Sequence, residues 1–392
     1  MENNLTSSIP EGAAECSHNE SYDEARYSLI VYIGTPIAVA GVVCNSMLLK
    51  LFSKSSSRKS PNLYLLVLAI LDLLMDLLYI PFFTVDALAI YHKNEALYHL
   101  WHYYAMLLYG TSRLVQFAAT YIILCATLER FVVVAEIKSI QFMISTKGRY
   151  CTIILTLLTV LLLRLPAFFE YRIIYRSDCP IYMSYDYVSM LAGYERYQMF
   201  NFFVMTVLHV FVPFTVLLIL NISIVTVTKR RLRGIGWAVT TFIDMPKVSE
   251  LIRKESLSSS KRRRDELRYA TWTMVSIATT YLCCSSLSLF ISVMENAFTN
   301  NSLLYNEDGS STRFYTLATD AVSILVAVNS LLRIFVYMLC SPSIRTDLCT
   351  EFPIFRVFQI CGQSGKKLRD DERHIMASYQ PIMLGAPPSQ ML

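Results

Sequence analysis

The sequence predicts an all-α membrane protein, a bundle of seven transmembrane helices. The chain has 392 residues, of which 54% are hydrophobic and only 17% charged, whereas soluble domains are usually about a quarter charged. The hydrophobic residues also lie in long uncharged runs, such as 29–49 and 269–294. A membrane-spanning helix needs about 20 apolar residues, because its backbone polar groups must be satisfied within the helix. Both runs meet that length.

Seven apolar stretches supply the candidate helices. They cover approximately 28–52, 62–85, 103–134, 150–169, 198–228, 269–294 and 314–340. Prolines within them are acceptable, since neighbouring membrane helices can satisfy the backbone groups that proline leaves free. We therefore divide the chain into an N-terminal segment (1–26), a transmembrane domain (27–342) and a C-terminal tail (343–392).

Basic residues beside the apolar stretches predict the orientation. They lie in alternate loops, at Lys50, Lys54, Arg58, Lys59, Lys138, Lys147, Arg149 and throughout 229–264. Because cytoplasmic loops carry an excess of Lys and Arg, the N-terminus is predicted outside and the C-terminus in the cytosol. Three N-glycosylation sequons then fall on the outer side, and their acceptors are Asn4, Asn19 and Asn300. The same basic loops adjoin membrane helices, so we do not expect nucleic-acid binding.

A charged triplet, Glu129-Arg130-Phe131, ends the third stretch. From Tyr103 an α-helix reaches Arg130 after about 40 Å, at the predicted cytosolic mouth. An acid–Arg–aromatic triplet in this position resembles the DRY motif of rhodopsin-like G-protein-coupled receptors. Partial motifs of the same family occur in the expected order at Gly41 with Asn45, Leu68 to Asp72, Pro213 with Asn221, and Tyr337. The resemblance covers approximately 26–345.

A narrower resemblance is to invertebrate FMRFamide-type neuropeptide receptors. It is carried by the segments 165–171, 213–214, 220–221, 266–271 and 329–330. It implies a plasma-membrane glycoprotein without enzymatic activity or a cofactor, which binds an extracellular peptide, possibly ending in Arg-Phe-amide, and signals to a heterotrimeric G protein. The first alternative is a divergent chemosensory receptor with weak or no G-protein coupling, and the second is a membrane transporter.

Several positions depart from the family pattern. Ala105 stands where relatives have the third-helix cysteine that pairs with the second outer loop, and Cys283 to Leu287 replace the usual sixth-helix tryptophan and proline. The NPxxY motif of the seventh helix reads Arg333-Ile334-Phe335-Val336-Tyr337. These changes affect the parts that sense ligand and switch the receptor, so the resemblance predicts the fold more firmly than it predicts ordinary G-protein signalling.

Other classes of membrane protein fit the residues less well. The sequence has no internal repeat of the kind found in many transporters, no Cys/His spacing typical of a metal site, and no lysine in 314–340 for a retinal Schiff base. Only one histidine, His209, lies within an apolar stretch. An amine receptor of this class would offer an acid about 17 or 18 residues before Arg130, as the resemblance implies. This chain has Arg113 and Ser112 there instead.

The resemblance implies a set of ligand-binding residues. The guanidinium of an Arg-Phe-amide peptide needs a carboxylate, ideally in a bidentate pair, and the acids near the predicted outer helix ends are Glu170, Glu195, Glu295 and Asp320. Arg113 and Gln116 on the third helix complete the set. In the empty receptor we expect Arg113 to pair with one of these acids.

The cytosolic switch is also assigned by resemblance. We expect Arg130 to pair with Glu129, and with Asp265 or Glu266 at the base of the sixth helix, and we expect the opening of these contacts to admit a G protein. Phe131 and Tyr337 belong to the same candidate switch.

Two intramembrane charges, Asp72 and Arg333, are predicted to form an ion pair. By helix rise they lie about 15 Å and about 10 Å from the cytosolic side, and the family fold places their helices side by side. In relatives the acid helps to hold a sodium ion, with polar groups at the positions of Ala119 and Arg333. The alternative is that Asp72 is protonated while Arg333 extends to the interface.

Two cysteines, Cys16 and Cys179, fall in the predicted outer region. Because the third-helix cysteine is missing, we hypothesise a disulfide between them. Two free thiols are the alternative, since the distance between the two residues decides whether they pair.

Overall fold

The computed structural model describes residues 24–53, 62–191, 194–243, 250–297, 302–304, 306 and 311–355, with backbone alone at 138, 139, 141, 189, 205, 231–243, 250–267, 270, 296, 297 and 354. The chain divides into two compact units, Met1–Val336 and Tyr337–Leu392. The predicted glycosylation sites Asn4, Asn19 and Asn300 lie outside the described residues.

The described chain is a succession of helices, and the prediction of seven spanning helices is confirmed. All seven are long and apolar enough to cross a membrane. They are α1 (Glu24–Phe52), α2 (Leu63–Tyr91), α3 (Glu95–Ala135), α4 (Thr146–Phe169), α5 (Glu195–Arg230, continuing to Ile243), α6 (Glu250–Ala297) and α7 (Arg313–Cys340). A short helix α8 (Pro342–Glu351) follows in the second unit.

The third helix begins eight residues earlier than the apolar pattern predicts, at Glu95 rather than at 103. Asn94 caps it, because its side chain accepts a hydrogen bond from the backbone N–H of Leu97 at 3.1 Å. The extra turns include the polar residues His99 and His102. Hydropathy alone excluded these turns because they are polar. The helix nevertheless includes them, since a capped helix can continue beyond the hydrocarbon.

Proline shapes three of the helices. A wide π-helical segment lies beside or around a proline in α1 (Ser28–Gly34, before Pro36), α2 (Ile80–Thr84, around Pro81) and α5 (Phe203–Phe211, before Pro213). Proline has no backbone N–H and its ring clashes with the carbonyl of the residue four positions earlier, so the local hydrogen-bonding pattern widens.

A β-hairpin follows α4 and covers the first turns of α3. Its strands β1 (Tyr171–Tyr175) and β2 (Tyr185–Ser189) are antiparallel. The Tyr185 ring stacks on His102 with centroids 4.1 Å apart, and its hydroxyl lies 2.8 Å from His99 Nδ1. These contacts lie beside Ala105, where the relatives implied by the sequence carry a disulfide. Aromatic stacking and a hydrogen bond therefore join this loop to α3 without that bridge. We call the end of the bundle that carries this hairpin the hairpin end.

Cys179, in the loop between the two strands, is partly buried and disulfide-bonded. Its predicted partner Cys16 lies outside the described residues, and the other seven cysteines of the described part form no disulfide. We expect a non-reduced digest of the protein to contain a peptide that joins Cys16 to Cys179, and we expect reduction to separate it into two. Recovery of both cysteines alkylated without reduction would contradict the pairing.

Helix α3 is the centre of the bundle. It packs against α2, α4, α5 and α6, while a small apolar cluster of Ala38, Tyr79 and Ile324 joins α1, α2 and α7. The polar residues of interest lie where these helices converge. We call the opposite end of the bundle, which carries Arg130 and Arg149, the basic end.

Candidate ligand cavity and buried polar network

A large cavity opens between the helices, with a volume of about 1050 Å³. It extends from Glu170 and Gln198 at the hairpin end to Asp72 and Arg333 in the middle of the bundle. Clefts for small ligands usually measure about 300–1,000 Å³. The space is therefore large enough for several residues of a peptide.

Two acids form part of the cavity wall on α6 and α7. Asp320 is buried and its Oδ2 accepts a hydrogen bond from Arg26 Nε at 2.8 Å. Glu295 accepts a hydrogen bond from the Tyr315 hydroxyl at 2.6 Å. We call these two acids the acidic wall. The sequence interpretation missed Arg26, which it placed in the N-terminal segment; it lies in the first turn of α1.

A second wall of the cavity, on α3, carries Arg113, and the buried Arg164 at the end of α4 is within electrostatic range of it. Arg113 is partly buried and lines the cavity, with its guanidinium carbon 5.4 Å from the centroid of the Tyr109 ring. Arg164 is 2% exposed, and its guanidinium carbon lies 5.5 Å from the centroid of the Phe117 ring. Glu170, also buried, accepts a hydrogen bond from Asn201 Nδ2 at 3.3 Å.

Burial raises the pKa of Glu170, and the nearby charges of Arg164 and Arg113 oppose that rise. The three groups therefore lie within electrostatic reach of one another. Arg113 nevertheless makes no ion pair within 4 Å in the described part of the chain, although we expected it to pair with an acid of this region.

Five of the six candidate ligand-binding residues line one cavity: Arg113, Gln116, Glu170, Glu295 and Asp320. Glu195 does not, because it is exposed in the first turn of α5. A carboxylate at that position interacts favourably with the helix N-terminus and with solvent, which gives Glu195 a role without a ligand.

A buried polar network closes the inner part of the cavity. Arg333 donates from Nη1 to Asp72, and both side chains are almost completely buried. Asp76, one turn further along α2, accepts hydrogen bonds from Asn45 Nδ2 at 3.0 Å and from Ser330 Oγ at 2.7 Å. The structure thus brings Asp72 and Arg333 together and adds a second carboxylate, to which the sequence interpretation gave no role.

Glycine at position 41 makes this network possible. The Asp76 carboxylate lies directly over Gly41, so that a Cβ atom there would collide with it. The same carboxylate receives Asn45 from the next turn of α1. The pairing of Gly41 with Asn45 in the sequence was therefore a signal for a close contact between α1 and α2, but it did not identify Asp76 as the partner.

At the basic end, Glu129 pairs with a different residue from the one predicted. Arg149 donates to its carboxylate from Nε at 3.1 and 3.2 Å and from Nη2 at 2.9 Å, and both residues are buried. No hydrogen bond joins Glu129 to Arg130 in the described part. Consecutive residues of an α-helix point about 100° apart, whereas Arg149 in the first turn of α4 faces α3 directly.

The other candidate switch residues are only partly described. The side chains of Asp265 and Glu266 lie outside the described residues. Phe131 follows Arg130 on α3 and is partly buried, and Tyr337 lies near the end of α7, where the second unit begins.

Comparison with known proteins agrees with this architecture. Residues 44–337 match the family described as 7 transmembrane receptor (rhodopsin family). The chain is also 23% identical over 315 residues to the FMRFamide peptide receptor frpr-18 of Caenorhabditis elegans. That alignment includes 80% of this chain and 66% of the relative, so the chain spans just under two thirds of the relative's length.

Proposed function

Because the chain belongs to the rhodopsin family of seven-transmembrane receptors, we propose that it is a receptor for an extracellular neuropeptide that ends in Arg-Phe-amide. This family is not enzymatic, and its members are multi-pass proteins of the plasma membrane. We propose further that the hairpin end faces the outside, that the basic end faces the cytosol, and that the output is a heterotrimeric G protein.

The observation that carries the proposal is that the Glu295 carboxylate lines the cavity without a cationic partner in the described part of the chain. Its carboxylate lines the cavity and is fixed by the Tyr315 hydroxyl at 2.6 Å, but it makes no ion pair in the described part of the chain. A ligand guanidinium can form a strong, directional pair with such a carboxylate. The positions of Ser112 and Arg113 hold no acid, which disfavours a simple amine, and the similarity to an FMRFamide peptide receptor supports a peptide of this kind.

Asp320 is the second candidate acceptor, but its carboxylate is already bonded to Arg26. A ligand that used Asp320 would have to displace this guanidinium. The two acids therefore have different expected roles: Glu295 receives the ligand directly, and Asp320 does so only when the contact with α1 is broken.

Replacing Glu295 with alanine should lower the potency of the synthetic peptide Phe-Met-Arg-Phe-amide at least about 30-fold, because truncating one partner of a buried charge pair costs about 2 kcal/mol or more. Asp320→Ala should also lower it. Potency is measured with calcium and cyclic AMP reporters in cells with matched surface expression. Glu195→Ala is the control, since Glu195 is exposed and does not line the cavity.

If both Glu295→Ala and Asp320→Ala leave potency intact, the placement of the ligand arginine is wrong. Peptide binding without any reporter response would instead favour the alternative of a receptor with weak or no G-protein coupling. Ligand flux in proteoliposomes would favour a transporter.

A further inference from the structure

Apart from the buried network of Asp72, Asp76 and Arg333, the charged residues that line the cavity lie on two walls. The acidic wall, Glu295 and Asp320, carries two carboxylates against the single guanidinium of Arg26. The basic wall carries Arg113 and, behind it, Arg164, against the single carboxylate of Glu170. Among the described residues, carboxylates outnumber guanidinium groups on the first wall, and guanidinium groups outnumber carboxylates on the second.

Arg113 is the group of the basic wall that a ligand can reach. It lines the cavity and is only partly buried. Its guanidinium carbon lies 5.4 Å from the centroid of the Tyr109 ring, and in the described part of the chain it makes no ion pair within 4 Å, which leaves its five N–H donors without a carboxylate. A guanidinium in this state is suited to a planar anion, because its donors match the two oxygens of a carboxylate.

Arg164 and Glu170 change the electrostatic potential at Arg113. Arg164 is 2% exposed and does not line the cavity, so it contributes positive potential without contacting a ligand. Glu170 opposes it, and it does so from the cavity wall. Glu170 interacts electrostatically with both arginines, and of the two only Arg113 lines the cavity, so Arg113 is the one that a ligand can meet.

We infer that the ligand carries a carboxylate that binds Arg113, in addition to the guanidinium that binds the acidic wall. This inference rests on the guanidinium contact of the proposed function and adds a second chemical requirement to the ligand; it does not depend on the terminal amide. An Arg-Phe-amide terminus has no carboxylate of its own. The acid must therefore come from a side chain that precedes the terminal pair, or the natural ligand ends in a free carboxylate in place of the amide.

Matched peptides distinguish these two sources. Asp-Phe-Met-Arg-Phe-amide is compared with Asn-Phe-Met-Arg-Phe-amide, and Phe-Met-Arg-Phe with a free C-terminus is compared with its amide. In one of these pairs the acidic member should bind roughly 10- to 100-fold more tightly, as expected for hydrogen bonds to a charged group. Preference in the first pair identifies a side-chain acid, and preference in the second identifies the terminal carboxylate.

Receptor variants then test the assignment to Arg113. Arg113→Gln should remove the preference for the acidic peptide, Arg113→Lys should keep part of it, and Glu170→Gln should increase it, because the competing internal carboxylate is lost. Equal binding within both pairs, or a preference that persists in Arg113→Gln, overturns the inference.

A smaller probe separates this inference from the proposed function. N-acetylphenylalanine should raise the melting temperature of the purified receptor, whereas its amide should not, and the difference should disappear in Arg113→Gln. If the acid stabilises the receptor in this way but no Arg-Phe peptide gives a response, the carboxylate site is retained and the proposed ligand is wrong. Equal stabilisation by the acid and the amide would overturn the carboxylate site whatever the peptides do.

Discussion

Asp72→Asn and Arg333→Asn should each remove most of the receptor from the cell surface, and the double variant should recover part of the loss. The two side chains are in contact and almost fully buried, within helices that cross the membrane. Breaking a buried pair by removing one partner costs about 3–5 kcal/mol, because the other charge is left without compensation. Removing both charges avoids that penalty. Surface expression of an N-terminally tagged receptor gives the measurement.

Asp76 supplies the matched control for this cycle. It lies on the same helix as Asp72, but its contacts are hydrogen bonds from Asn45 and Ser330 and no ion pair with Arg333 is formed within 4 Å in the described part. Asp76→Asn should therefore be milder than Asp72→Asn, and it should restore Arg333→Asn less well. Strictly additive losses for Asp72 and Arg333 would contradict the coupling, as would equal rescue by the two aspartate substitutions.

The same pair should make agonist binding insensitive to sodium. The resemblance implies that an acid at the position of Asp72 helps to hold a sodium ion, and here Arg333 supplies a fixed cation beside it. Arg333→Asn would leave Asp72 and Asp76 together without that cation, so we expect sodium dependence to appear in this variant. Binding is measured in sodium chloride against choline chloride. Strong sodium dependence of the unmodified receptor would contradict the prediction.

The sequence predicted the helices well because membrane spans require long apolar runs, and this requirement is local. The depths of Asp72 and Arg333 also follow from helix rise, and the resemblance placed their helices together. The partners of Asp76, Glu129 and Asp320 could not be predicted in this way. Each depends on how two or three helices are rotated about their own axes, and hydropathy does not specify that rotation.

The pair at the basic end illustrates the point. Glu129 and Arg130 are adjacent in the sequence, so pairing them was the simplest expectation, yet Arg149 from α4 holds the carboxylate with three hydrogen bonds. Arg130 is therefore not the residue that stabilises Glu129. This separates two roles that the sequence interpretation combined, a structural one for the Glu129–Arg149 pair and a signalling one for Arg130.

Arg130→Ala should abolish G-protein coupling while peptide affinity and surface expression stay near the values of the unmodified receptor, because no ion pair of Arg130 in the described part is lost. Arg149→Gln should act in the opposite way. It leaves a buried carboxylate without its cation, at a cost of about 3–5 kcal/mol, and so lowers surface expression, which Glu129→Gln in the same chain should partly restore. The measurements are agonist-stimulated nucleotide exchange on G protein, radiolabelled peptide binding and surface expression for each variant.

If Arg130→Ala signals normally, the output of this receptor does not pass through the mouth of the bundle that Arg130 occupies, and a partner other than a G protein must be sought. If it instead fails to reach the surface as Arg149→Gln does, Arg130 is a structural residue and the division of roles between the two arginines is wrong.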